Sequence, residues 1–249
     1  LFKKFLNNHN FKRLLERLGN RVLDQTKDEV EENFNNRNKN YKLINTIKQL
    51  DEFIQNCFKK DIIAIDCETD SLKAKSTNLV GLSIAYDVGM ACYIPLRHGT
   101  RNNNSSLLDF EANMETPLQI DVHVVTNKLK PLFENPSILK VGHNIKFDKV
   151  VLKQEKNGLI NVAPLGDSMC MSYVLNLGKV ENHKLDTLAF NELGYKTIKF
   201  EDVCGKGVNQ KTFDQIDPKD GLDYAAEDAD VALVLYKKLL QRLYLEKKY

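Results

Sequence analysis

The sequence predicts an α/β domain with a mixed sheet, on three observations. Ile62-Ile63-Ala64-Ile65 is a continuous apolar run, the pattern of a strand buried on both faces. Two further apolar segments, Leu79–Tyr86 and Ala91–Ile94, flank Asp87-Val88-Gly89-Met90, which reads as a hairpin. Beyond the hairpin, helix-like and strand-like segments alternate.

The elements follow in order. Residues 1–19 have helical apolar spacing with Gly19 as a stop, and residues 1–21 hold six Lys or Arg and one Glu. A solvated face on a terminal helix explains that charge better than a nucleic-acid contact. Residues 20–40 are rich in Glu and Asn and read as a linker, because such a composition buries no core. Periodicity resumes at residue 41. Thr46 suits the cap of a helix carrying Ile47, Leu50, Phe53, Ile54 and Cys57. The core begins with the strand after Asp61. Arg97–Glu115 is polar and reads as a surface loop. Asp121–Phe133 is expected as a helix, Ile138–Val141 as a strand, and Ile145–Lys153 as a helix leading away from it. Two more helices are expected over Asp167–Leu177 and Leu185–Leu193. Asp217 at the N-cap and Pro218 at the first helical position then open the clearest helix of the chain, which runs to about residue 242.

Composition narrows the class. Hydrophobic residues make up 42% and charged residues 28% of the 249, as in globular proteins. No apolar run approaches the ~20 residues of a membrane-spanning helix, so no membrane partner is expected. A net charge of +2 argues weakly against coating nucleic acid by charge alone. The five cysteines form no C-x-x-C pair, which disfavours a disulfide framework or zinc site and fits a reducing compartment. A first residue of Leu rather than Met suggests a piece of something larger.

Three short acidic motifs carry the chemistry. Residues i and i+2 of a strand share a face, so Asp66 and Glu68 project together from the end of the buried strand. Alone, such a pair is more often a strand end meeting solvent. Asp148 follows the next strand, where a helix N-terminus would favour a negative charge in any case. The adjacent Asn144 suits either a substrate oxygen or a helix cap. Tyr224 and Asp228 are spaced i, i+4 on one face of the long helix. The small Ala225, Ala226 and Ala229 would let that helix approach the sheet and bring Asp228 towards Asp66. Clustered carboxylates of this kind suit two shared divalent cations, Mg²⁺ or Mn²⁺.

In combination these motifs resemble the DEDD superfamily of proofreading 3′→5′ exonucleases, in the subclass with Tyr in the third motif. Asp66-Cys67-Glu68-Thr69-Asp70-Ser71-Leu72, Val141–Asp148, Phe200–Gly207 with Thr212-Phe213, and Tyr224–Asp230 are similar to the exonuclease domain of bacterial DNA polymerase I, a family A polymerase. The resemblance spans roughly residues 60–245 and implies an RNase H-like (DnaQ-like exonuclease) mixed sheet flanked by helices. It implies that Asp66, Glu68 and Asp228 hold one metal, that Asp66 and Asp148 hold a second, and that Tyr224 positions water. Leu72 and Phe200 would wedge and stack the terminal bases, while Thr69, Asn144 and Phe147 would line the substrate site. His143 is expected at the surface or behind the site rather than as a ligand.

The implied organisation is a C-terminal helix of a preceding 5′-nuclease domain over 1–19, a linker over 20–40 and a monomeric exonuclease domain over 41–249. Its implied partners are a DNA 3′ end and the polymerase and 5′-nuclease domains of one longer chain. The implied location is the bacterial cytoplasm, at the nucleoid. An RNA-trimming relative and a non-catalytic scaffold are the alternatives; the four intact acids argue against the scaffold.

Overall fold

The computed structural model describes residues 37–99, 117–176, 178 and 180–247. The terminal helix expected over 1–19, the linker as far as 36 and most of the polar stretch Arg97–Glu115 lie outside these residues.

Among the described residues, six strands form one mixed sheet in the order β1-β4-β3-β2-β5-β6. Strand β2 (Ile62–Thr69) is central, antiparallel to β3 (Leu79–Asp87) on one side and parallel to β5 (Leu139–Gly142) on the other. The expected hairpin joins β3 to β4 (Met90–Pro95), with Gly89 at φ +73° in the turn. Two edge strands were not expected. Strand β1 (Asn40–Leu43) runs parallel to β4, and β6 (Leu165–Asp167) runs parallel to β5.

Alternation along β2 divides the core. Ile63, Ile65 and Cys67 face α1 (Ile47–Cys57), α2 (Val122–Phe133) and α3 (Lys146–Leu152), which cover one side of the sheet. Ala64 faces the opposite side, where Ala226, Ala229 and Leu233 of α7 (Pro218–Leu245) pack on Ala64, Ala85, Ala91 and Val141. Alanine on both surfaces lets the helix lie close to the strands, as the sequence suggests. Helices α4 (Ser168–Asn176), α5 (Leu185–Leu193) and the short α6 (Phe200–Cys204) complete this layer; α5 and α7 share the cluster of Leu188, Leu193, Val231 and Leu235.

The caps at Thr46 and Asp217 are those expected, Asp121 is a further one, and Asn144 is not a cap. Thr46 and Gln49 form a capping box on α1, Asp121 accepts from two amides at the start of α2, and Asp217 accepts from Lys219 N at 2.8 Å before Pro218. Asn144 does not cap α3: the N-cap is Ile145, without a side-chain cap.

Folded structure begins earlier than the apparent linker boundary. Asn40 is already in β1. Arg37 Nε donates to Asp230 Oδ2 at 2.9 Å, and Lys39 Nζ donates to Glu227 Oε2 at 3.0 Å. Both acids lie on α7 and are fully buried. Asp230 also accepts from the Tyr41 hydroxyl and the Gly89 amide, each at 2.8 Å.

Candidate active site

The alternation that sends Cys67 into the core sends Asp66 and Glu68 towards α7. There Asp228 meets them, and one carboxylate oxygen from each of the three lies within 4.8 Å of the others. Asp148 arrives from the other direction. Strand β2 outruns its pairing with β5 at Ala64, and the Cys67 amide beyond that point donates to Asp148 Oδ1 at 2.9 Å. The first turn of α3 thereby places a fourth carboxylate at the same strand end, buried as Glu68 is, whereas Asp66 and Asp228 are partly exposed.

The electrostatics of the four acids are those of a cation site. Burial pushes Asp66 up to about 6. Glu68, Asp148 and Asp228 are raised well above the carboxylate range, first by burial and then by repulsion from Asp66. Ser83, the cross-strand partner of Asp66, has a buried hydroxyl without a hydrogen-bond partner among the described residues. An all-oxygen donor set of mutually repelling carboxylates, flanked by this orphaned hydroxyl, fits a hard divalent cation.

Tyr224 stands one turn before Asp228. Its hydroxyl lies near that carboxylate, and burial together with the nearby acids raises its pKa far above the ordinary phenol range. It is therefore a protonated donor at neutral pH. Its ring packs edge-on to Phe200, with centroids 6.1 Å apart, and against Phe213 at 5.7 Å. Phe213 is fully buried beneath both, and close approach is possible because α7 carries Gly221 there: a Cβ at that position would stand 2.9 Å from the Phe213 ring. Tyr224, Asp228, Phe200 and Ile198 line one cleft of about 450 Å³ together with Lys184 and Lys199.

The remaining expected residues are spread around the strand ends. Thr69 ends β2, with its hydroxyl on the Ser71 carbonyl at 3.0 Å. Leu72, the residue after Ser71, is 93% exposed. Asn144 is exposed, with a left-handed backbone at φ +64° and its amide on Asp167 Oδ1 at 3.1 Å. Phe147 is partly buried against the core on the α1–α3 side of the sheet. Phe200 opens α6 and is 36% exposed. His143 is half-buried between the Ser168 hydroxyl and the His183 carbonyl; burial lowers its pKa. Phe213, Ser83 and Glu227 were not singled out by the motif reading. Phe213 and Glu227 lie inside quoted motifs, so position alone gave a signal; nothing in the sequence marked Ser83.

Strand order, helix placement and the carboxylate cluster define an RNase H-like nuclease domain, and residues 41–244 match the family of 3′-5′ exonucleases. The chain belongs to that family. Its sequence relatives are DNA polymerases I, and it is a 3′–5′ exonuclease domain of the kind they carry. It is 39% identical over 193 residues to DNA polymerase I of Pseudomonas aeruginosa and 35% identical over 212 residues to that of Rhizobium leguminosarum. These matches cover 78% and 82% of the chain but 20% of each relative, so the chain spans about one fifth of the length of the proteins it matches. Among solved structures, Brucella melitensis NrnC superposes with a TM-score of 0.58 at 20% identity, covering 85% of this chain and 84% of that one. Escherichia coli RNase D, an exoribonuclease, gives 0.56 at 18% identity, covering 84% of this chain and 46% of its own. Likeness at that identity speaks for the fold. No helix among the described residues is long and apolar enough to cross a membrane.

Proposed function

We propose that this domain removes nucleotides from single-stranded or mismatched DNA 3′ ends, with Asp66, Glu68, Asp148 and Asp228 holding two divalent cations, Mg²⁺ or Mn²⁺. The observation that carries the reading is the meeting of Asp66, Glu68 and Asp228 within 4.8 Å, one turn from a protonated Tyr224. Bound cations would supply charge stabilisation at the phosphoryl group and lower the pKa of attacking water.

The protein's own residues do the rest. Tyr224 donates a hydrogen bond that orients water beside the terminal phosphodiester. Water adds to phosphorus, the bond from phosphorus to the 3′ oxygen of the penultimate nucleotide breaks, and a nucleoside 5′-monophosphate leaves. Phe200 offers a partly exposed ring on which the terminal base stacks without sequence readout. Leu72 is the wedge against the next base. Thr69, Asn144 and Phe147 line the remainder of the strand's path. A terminal pair must melt before its phosphate reaches the acids, so a mismatch, which has already lost pairing and stacking, is cut faster than a match. In a longer chain, the neighbours of this domain are polymerase and 5′-nuclease domains, at the bacterial nucleoid.

The test is a set of 3′-labelled DNA and RNA oligonucleotides, paired, mismatched and single-stranded, at one salt concentration with and without Mg²⁺. The expected order is single-stranded and mismatched DNA ahead of matched DNA, with no cleavage in chelator. Faster RNA degradation would favour RNA trimming, and equal rates on matched and mismatched ends would remove proofreading.

A further inference from the structure

Glu227 sits between Tyr224 and Asp228 on α7, yet its carboxylate is engaged away from the acid cluster and is fully buried. One oxygen accepts the Ile198 amide at 2.7 Å. The other accepts the Tyr195 hydroxyl in a short hydrogen bond and the Lys39 ammonium at 3.0 Å. Lys39 closes the triangle by donating to the Tyr195 hydroxyl at 2.7 Å. Two segments distant in sequence, at Lys39 and at Tyr195–Ile198, thus converge on one carboxylate.

The Ile198 bond matters most for the site. Ile198 lies two residues before Phe200, and both line the cleft opposite Tyr224 and Asp228. We propose that Glu227 is a positioning residue of this nuclease. It fixes the Ile198–Phe200 wall against the turn carrying Tyr224 and Asp228, so that the stacking surface for the terminal base and the group orienting water keep one separation. This rests on the reading of Phe200 and Tyr224 given above. The link is geometric: the residue that presents the base platform and the residues that meet the phosphate lie on different elements, and Glu227 bonds one to the other. A misplacement of about 1 Å in such an arrangement costs on the order of a hundredfold in rate.

The experiment uses the full 249-residue chain and single-stranded DNA with 2-aminopurine as the 3′-terminal base. Its fluorescence in chelator reports stacking and affinity, and kcat and KM are measured separately in Mg²⁺. E227A leaves the Ile198 amide without its acceptor. It is expected to weaken terminal-base binding and lower kcat by about tenfold to a hundredfold, while the Mg²⁺ concentration for half-maximal rate stays at the wild-type value. E227Q keeps an acceptor for Ile198 and should restore both to within about threefold, a rescue that a general loss of stability would not give. If E227A does not fold, E227D decides: it keeps the charge facing Lys39 but withdraws the acceptor by one methylene, and should lose terminal-base stacking. Wild-type stacking and wild-type kcat per folded molecule, in E227A or in E227D in its place, overturn the proposal. A wild-type chain inert in Mg²⁺ would instead overturn the nuclease reading, and the stacking measurements would still judge Glu227.

Discussion

At the residue scale, the proposed roles of the four acids and Tyr224 can be tested separately. Asp66→Ala or Asp228→Ala removes a donor from the three-carboxylate cluster and is expected to lower kcat by several decades, at ~1.4 kcal/mol per decade. The fold should survive, because removing one acid relieves repulsion among the rest. Tyr224→Phe should cost much less and leave metal affinity unchanged, which calorimetric titration with Mg²⁺ alongside single-turnover rates would check. Lys140 supports β5 from within. Its ammonium is fully buried and donates to the carbonyls of Asn135 and Ile138 at 2.7 Å and to that of Ala163. Lys140→Met would strand these acceptors and should destabilise by about 3 kcal/mol, read as a lower urea midpoint at unchanged slope.

At the element scale, the boundary at residue 41 is the sharpest test. A chain starting at Tyr41 lacks Arg37, whose side chain is 5% exposed, and Lys39, which is 36% exposed. Breaking a buried pair costs up to roughly 3–5 kcal/mol, an upper figure for the part-buried Arg37–Asp230 pair, and the more exposed Lys39 adds less. A chain starting at Tyr41 should unfold well below the midpoint of a chain starting at Arg37. Equal midpoints would show that the ion pairs contribute nothing. The same segment shows what was legible in the sequence. Strand β2, the hairpin and α7 could be read because each carries its period over many residues, with Gly89 or Asp217-Pro218 as punctuation. Strands β1 (NYKL) and β6 (LGD) have four and three residues, too few for alternation to register, and become strands only because β4 and β5 offer free edges. The carboxylates were legible from type and spacing. The left-handed backbone of Asn144 and the bonds of Glu227 were not, because they depend on elements brought together by the fold.

At the scale of the whole molecule, the acid cluster sets a conflict between stability and function. Each acid there has a folded pKa above its unfolded value, Asp66 at about 6 and the others raised in the same direction by burial and mutual repulsion. The folded state therefore binds protons that the unfolded state has released, and cation-free stability falls as pH rises from about 4 through 6 and beyond. Divalent cations compete with those protons and bind the folded state. The gain in melting temperature on adding Mg²⁺ should therefore widen between pH 5 and pH 8. Differential scanning calorimetry at both pH values checks this, and a gain independent of pH would mean that the cation binds elsewhere.

Strand β1 also has a mechanical consequence. It runs parallel to β4 at the rim of the sheet, with Arg37 and Lys39 anchored immediately upstream. A load applied to the chain ahead of Arg37 along the strand axis meets those hydrogen bonds in shear, so they resist together instead of unzipping one at a time. The first fixed points to feel such tension are Asp230 and Glu227, on the helix that carries Asp228. Traction from upstream therefore reaches the helix that carries Asp228 before it disturbs the central strands.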